Sequence, residues 1–185
     1  MKNSILLFSI FLISFALKAQ ETQPKINWMT FNEALAAQKE TPKKIMMDVY
    51  TYWCGPCKML DKNTFQNKDL VKYVNEHFYA VKFNGEGNEK ITYQNSTFTN
   101  PKYDPKKSAT RNSSHQFTDY LQVKGFPSIY FFDVDGALLA PLPGYRTAKQ
   151  LEFFLKMFNT DKYKVINSEE TFEKYKSSFV YEFGE

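Results

Sequence analysis

The chain holds two cysteines, and both lie in Trp53-Cys54-Gly55-Pro56-Cys57. A pair spaced this closely cannot staple distant parts of a chain together. A disulfide-built scaffold and a four-thiolate metal site are therefore both excluded, and the fold must rest on an apolar core. The 185 residues include 18 Phe, 12 Tyr and 2 Trp, more aromatic surface than a disordered chain carries and enough to fill such a core. That length suits one decorated domain, or one domain behind a targeting segment. Lys and Arg number 24 against 20 Asp and Glu, a net charge of +4 spread along the chain. A balance so small and scattered excludes nucleic acid as an expected partner.

The first residues read as a targeting segment. Lys2 precedes an apolar run from Ile5 to Leu17, interrupted only by Ser9 and Ser14. A helix needs about 20 apolar residues to span a bilayer, so the run is too short for an anchor and fits the core of a secretory signal. Cleavage is expected after Ala19, giving a signal of residues 1–19 and no stable membrane anchor. The mature chain is expected to be secreted across the inner membrane into an oxidising, periplasmic compartment.

Beyond the signal, the pattern alternates helix and strand. Thr30 and Glu33 form the signature of a capping box, so a helix is expected to about Gln38, ended by Thr41-Pro42. Ile45 to Tyr50 is a short apolar run typical of a buried strand. Helices are expected from Cys54 to about Lys62 and from Asn67 or Lys68, the second with Leu70, Val71, Val74 and Phe78 on one face. Tyr79 to Phe83 alternates like a strand. Residues 85 to about 114 are rich in Asn, Ser, Thr, Gly and Pro and read as a loop of roughly 30 residues, long for a compact domain. Then follow a helix at Gln116 to Gln122, a buried strand at Pro127 to Asp133, a turn at Asp135-Gly136 and a returning strand at Ala137 to Leu142. Thr147 opens a helix with Leu151, Phe154, Leu155 and Phe158 at helical spacing, and the extension 160–185 carries a helix-like stretch around Glu169 to Ser177. This order predicts an α/β domain around a mixed sheet.

The chemistry centres on the two thiols. They stand where a buried strand passes into a helix, and two intervening residues bring the sulfurs within bonding range across the first turn. The first sulfur then lies at the helix start, where free N–H groups and the dipole favour a thiolate, the species that attacks disulfides. Pro56 is tolerated there because its missing N–H has no helical partner to lose, and Gly55 leaves one side open. Cys54 is thus the expected exposed nucleophile, with a lowered pKa, and Cys57 the shielded resolving thiol. Two other uses of the pair remain at this point: half of a zinc site, for which only His77 and His115 could complete the ligands, and an inert local disulfide. Each histidine reads better as a solvated or capping residue.

The stretch Asp48-Val49-Tyr50-Thr51-Tyr52-Trp53-Cys54-Gly55-Pro56-Cys57-Lys58 resembles the active-site segment of the thioredoxin superfamily. Asp48 stands where that family has a buried carboxylate, Lys82 where it has a lysine beside that carboxylate, Phe126-Pro127-Ser128 where it has a cis-proline loop facing the sulfurs, and Gly144 where a glycine follows the last strand. The likeness covers about residues 43–158. The helix expected from Trp28 through Lys39 and the Thr64-Phe65 to Leu70 stretch are more similar to the secreted branch, including the carboxy-terminal domain of the bacterial membrane thiol reductase. The signal, the polar insertion 85–114, the extension and Tyr50, where many members have Trp, depart from the family pattern.

The resemblance implies a thioredoxin fold over residues 20–159 and a redox disulfide between Cys54 and Cys57. It also implies a thiol–disulfide oxidoreductase that needs no cofactor or metal. Asp48 would relay a proton to or from Cys57, or pair with Lys82, and its place on an apolar strand should raise its pKa. Trp53, Gly55, Pro56, Lys82, Phe126 and Pro127 would support the site. The implied partners are disulfide-bonded proteins, with a membrane thiol reductase as electron donor and the chain acting as a monomer. A non-catalytic binding module, or an oxidase or isomerase of disulfides, is the alternative. The lysines of the insertion, Lys90, Lys102, Lys106 and Lys107, read as a solvated face.

Overall fold

The computed structural model describes residues 24–184, so the expected signal, 1–19, lies outside the described residues. The fold is built on strand β2 (Lys44–Tyr50), in which every residue but Tyr50 is buried. It sits at the centre of a five-stranded sheet, flanked in order by β1 (Trp28–Met29) and β3 (Phe78–Asn84) on one side and by β6 (Ser128–Phe132) and β7 (Leu138–Pro143) on the other. β1 and β2 run parallel to β3, while β6 is antiparallel to both β2 and β7. This is the mixed sheet that the sequence predicts.

Side-chain alternation along β2 divides the core between the two faces. Ile45, Met47 and Val49 pack with Phe31 and Ala34 of α1 (Phe31–Glu40) and Phe117 of α4 (Gln116–Tyr120). Met46 joins the opposite cluster, with Leu70 and Val74 of α3 (Lys68–His77) and Leu151 and Leu155 of α5 (Ala148–Asn159). Polar caps fix where these helices begin. Thr30 and Glu33 form the expected box, Asn67 accepts from the Leu70 N–H, and Thr147 pairs reciprocally with Gln150.

Two expectations are corrected. Trp28 lies in a strand rather than a helix; β1 is only two residues long, too short for alternation to show. The segment 85–114 is not one long loop: it contains a hairpin of β4 (Ile91–Tyr93) and β5 (Ser96–Phe98), turning through Gln94 and Asn95, both left-handed, and a short 3-10 turn at Pro105–Lys107. Ile91 and Tyr93 are buried against the α1 face, and the Tyr93 hydroxyl donates to the Gly136 carbonyl at 2.9 Å. His115 takes the capping one of its two expected roles, and does so fully buried. It caps α4 by accepting from the Phe117 N–H at 3.0 Å, while Nε2 meets the Glu89 carbonyl at 2.7 Å.

The extension continues through a 3-10 turn (Lys162–Val165) and α6 (Glu169–Ser178) into an extended strap that returns to the domain. Buried Glu152 accepts the N–H groups of Glu182 and Phe183 at 2.8 and 3.0 Å and pairs with Lys156 at 2.7 Å; Asp69 accepts the Gly184 N–H at 2.8 Å. Backbone donors that a chain end usually gives to water are here given to carboxylates, which holds Phe183 in the core.

One charge sits inside the central strand. Asp48 is 1% exposed and shares the face of Met46. The parallel register sets it beside Lys82 on β3, whose ammonium lies 2.7 Å from its Oδ2. Lys82 is also paired with Asp61 and lies within 5.0, 4.9 and 5.2 Å of the Trp28, Tyr50 and Phe65 ring centres. Burial pushes the Asp48 pKa up to about 6 despite the lysine. Because 6 exceeds the value of 3.8 for an unhindered carboxyl, the native state holds this proton more tightly than the unfolded chain does. Stability is then lost as pH rises from about 4 through 6, by on the order of 2–3 kcal/mol. Asp48→Asn should therefore be the more stable protein at pH 7.5 and indistinguishable from wild type near pH 4, with the disulfide intact in both. Urea unfolding across pH 4 to 8 checks this, and two curves running parallel over that range would contradict it.

Candidate active site

β2 ends at Tyr50, and the chain turns through Thr51-Tyr52-Trp53 into α2 (Gly55–Met59). Cys54 is the capping residue of that helix, in extended conformation, and its Sγ accepts the Cys57 N–H at 3.1 Å. Pro56 stands in the first turn, where its lack of an N–H leaves no bond unmade. One turn therefore places both sulfurs at the sheet's end, and Cys54 and Cys57 are joined as a disulfide, with Cα atoms 5.3 Å apart. The expected helix to Lys62 is α-helical only to Met59 and then widens into a π turn (Leu60–Thr64), closed by the Phe65 N–H donating to the Leu60 carbonyl at 3.0 Å. That turn carries Asp61 to Lys82.

In this oxidised state Cys54 is not the exposed member of the pair: both cysteines are 2% exposed. Gly55 and Pro56 are exposed, while Trp53 and Phe126 are half-buried. The Trp53 and Phe126 rings meet edge to face, 6.1 Å apart. The Phe126–Pro127 bond is cis, and Pro127 is buried. Its carbonyl accepts the Gly144 N–H at 2.8 Å; Gly144 has φ +84°, which suits a residue without Cβ. Gly85 is needed for space, since an added Cβ would stand 2.6 Å from the Phe126 ring.

The insertion supplies residues that the sequence reading missed. The Trp53 Nε1–H donates to Glu86 Oε2 at 2.7 Å, and the Asn112 N–H donates to the same oxygen at 2.8 Å. The Arg111 guanidinium lies over the Trp53 ring, 3.9 Å from its centre. Asn100 ties the two ends of the insertion together through the Gly87 and Ser113 carbonyls at 2.9 and 2.8 Å. The alternation Ile91, Tyr93, with Asn95 at a turn, was a visible hairpin signal; nothing local marked Glu86 or Arg111.

The cysteines are not brought to either histidine. His115 packs edge-on to Phe83, and His77 lies beside Tyr73. Among the described residues no group of three or more His, Cys, Asp and Glu is placed to hold a metal ion. No helix among them is long and apolar enough to cross a membrane. What the geometry offers chemically is a two-electron couple, with the disulfide at the end of the strand that carries a buried carboxylate.

Comparison with known proteins places this arrangement. A thioredoxin-like domain family matches residues 31–159. The thiol:disulfide interchange protein DsbD of Pectobacterium atrosepticum is 27% identical over 138 residues, 74% of this chain but 19% of that protein; its counterpart in Pseudoalteromonas atlantica is 26% identical over 106 residues, 57% of this chain and 14% of that protein. The chain thus spans less than a fifth of the curated relatives it matches. Among solved structures, a thioredoxin-fold protein from Helicobacter pylori superposes with a TM-score of 0.54 at 19% identity, covering 84% of this chain and 89% of that one. A structure titled DsbH oxidoreductase does so at 0.51 and 19%, covering 77% and 92%. The chain belongs to the thioredoxin-like domain family.

Proposed function

We propose that the protein is a secreted, periplasmic oxidoreductase that reduces protein disulfides through Cys54 and Cys57. The observation that carries this is the disulfide at the head of α2, with the Cys57 N–H directed at Cys54 Sγ. In the reduced form that N–H is placed to favour a Cys54 thiolate. The thiolate attacks one sulfur of the partner's disulfide, forms a mixed disulfide and expels the partner's other sulfur as a thiolate. Cys57, losing its proton to Asp48, then attacks Cys54 Sγ. The partner leaves with both thiols reduced, and Cys54–Cys57 is restored with two electrons delivered. Asp48 suits the task, because burial holds its pKa near the working pH, at about 6. A membrane thiol reductase would return two electrons to the disulfide, which the similarity to DsbD supports. Residues 20–159 would form the catalytic unit, with 85–114 inserted and 160–185 appended.

The chain should reduce insulin in the presence of a dithiol, and Cys54→Ser should abolish the reaction. Insulin reduction that survives Cys54→Ser contradicts the assignment, and a wild type inert toward several disulfides favours a static binding module. Direction follows from Gly55-Pro56, the dipeptide of thioredoxin, whose potential lies near −270 mV. Equilibration with glutathione buffers should give a value nearer to that than to about −180 mV; a value above −180 mV would indicate an oxidase or isomerase.

A further inference from the structure

Arg111 is an exposed arginine in an unusual position. Its guanidinium lies on the Trp53 indole, one residue from Cys54. Among the described residues it makes no ion pair and no side-chain hydrogen bond, so its N–H donors are unpaired on an exposed side chain. Glu86 Oε2 accepts from the Trp53 indole and from the Asn112 backbone, Asp104 caps Lys106 at 3.0 Å, and Asp119 accepts from Ser114 at 2.6 Å. The segment that presents Arg111 also carries exposed Lys102, Lys106 and Lys107, but among the described residues only Arg111 has its charge set on the Trp53 ring.

A guanidinium stacked by one face on an indole has lost much of its rotational freedom while keeping its planar fork of donors, the geometry that receives a carboxylate through two hydrogen bonds. Glu86 and Asn112 hold the indole and the backbone beside Arg111 through a single oxygen, so the fork is preset relative to Cys54. We propose that Arg111 is a recognition residue for a carboxylate on the partner protein, an Asp or Glu side chain flanking the disulfide that Cys54 attacks. The proposal rests on the oxidoreductase reading and adds a substrate preference to it: the insertion selects partners with acidic residues next to the target cystine.

The test uses two disulfide-linked peptide pairs, identical except for Glu or Lys on either side of the cysteine. At low salt the wild type should reduce the Glu peptide with kcat/KM about fivefold above the Lys peptide, through KM. Arg111→Ala should erase the preference, Arg111→Glu should invert it, and Arg111→Lys should retain only part, because an ammonium keeps the charge without the fork. Binding of the same peptides with Cys replaced by Ser, followed by fluorescence polarisation, needs no turnover. A wild type that turns over neither peptide contradicts the proposed function. Equal wild-type binding of the Glu and Lys peptides, or a preference that survives Arg111→Ala, overturns the Arg111 assignment. An equal loss on both peptides in Arg111→Ala also overturns it, since that marks a structural role.

Discussion

The structure depends on the register between β2 and β3. Parallel pairing sets Asp48 opposite Lys82, so a carboxylate on an otherwise apolar central strand has an ammonium 2.7 Å away. A slip of one residue would turn Asp48 toward Phe31 and Phe117, where no cation waits, and would expose the apolar set on the other face. Even in register, desolvation outweighs the lysine and keeps the pKa raised. The fold thus carries a group that weakens it at neutral pH, on the strand that leads to the disulfide, which is the group the proposed proton transfer from Cys57 uses.

Lys82 connects this charge to the rest of the site. It touches Asp48 from the sheet, Asp61 from the π turn after α2, and the rings of Trp28, Tyr50 and Phe65. The short strand β1, the turn after the cysteines and the central strand are therefore tied to one ammonium. Next to Cys54 in the chain, Trp53 meets Phe126, and both rings are set by the insertion, through Glu86, Arg111 and the bare backbone of Gly85. In the proposed function, redox chemistry and partner contact accordingly draw on different parts of the chain.

Much of this was legible in the sequence, for local reasons. Caps at Thr30, Asn67 and Thr147, the apolar run at β2 and the spacing of the cysteines are short-range signals, and each element starts within a residue of where those signals put it, although the helix after Cys54 gives way to a π turn at Leu60. The Asp48–Lys82 contact was foreseen from resemblance rather than from pattern. What escaped was non-local. Two-residue β1 is a strand only because β3 pairs with it. His115 is buried because the insertion folds back over it to offer the Glu89 carbonyl. Glu86 and Arg111 are ordinary surface types until Trp53 lies between them. The burial of Cys54 likewise reflects the surroundings of the disulfide and not the motif itself.

In the proposed reaction Cys54 attacks and Cys57 resolves. Trapping measures it most directly: Cys57→Ser and Cys54→Ser are each reduced, mixed with a disulfide-bonded protein and separated without reductant. A covalent adduct through Cys54 should accumulate with Cys57→Ser, and none should form with Cys54→Ser. Adducts through Cys57 in Cys54→Ser, with none in Cys57→Ser, would contradict it.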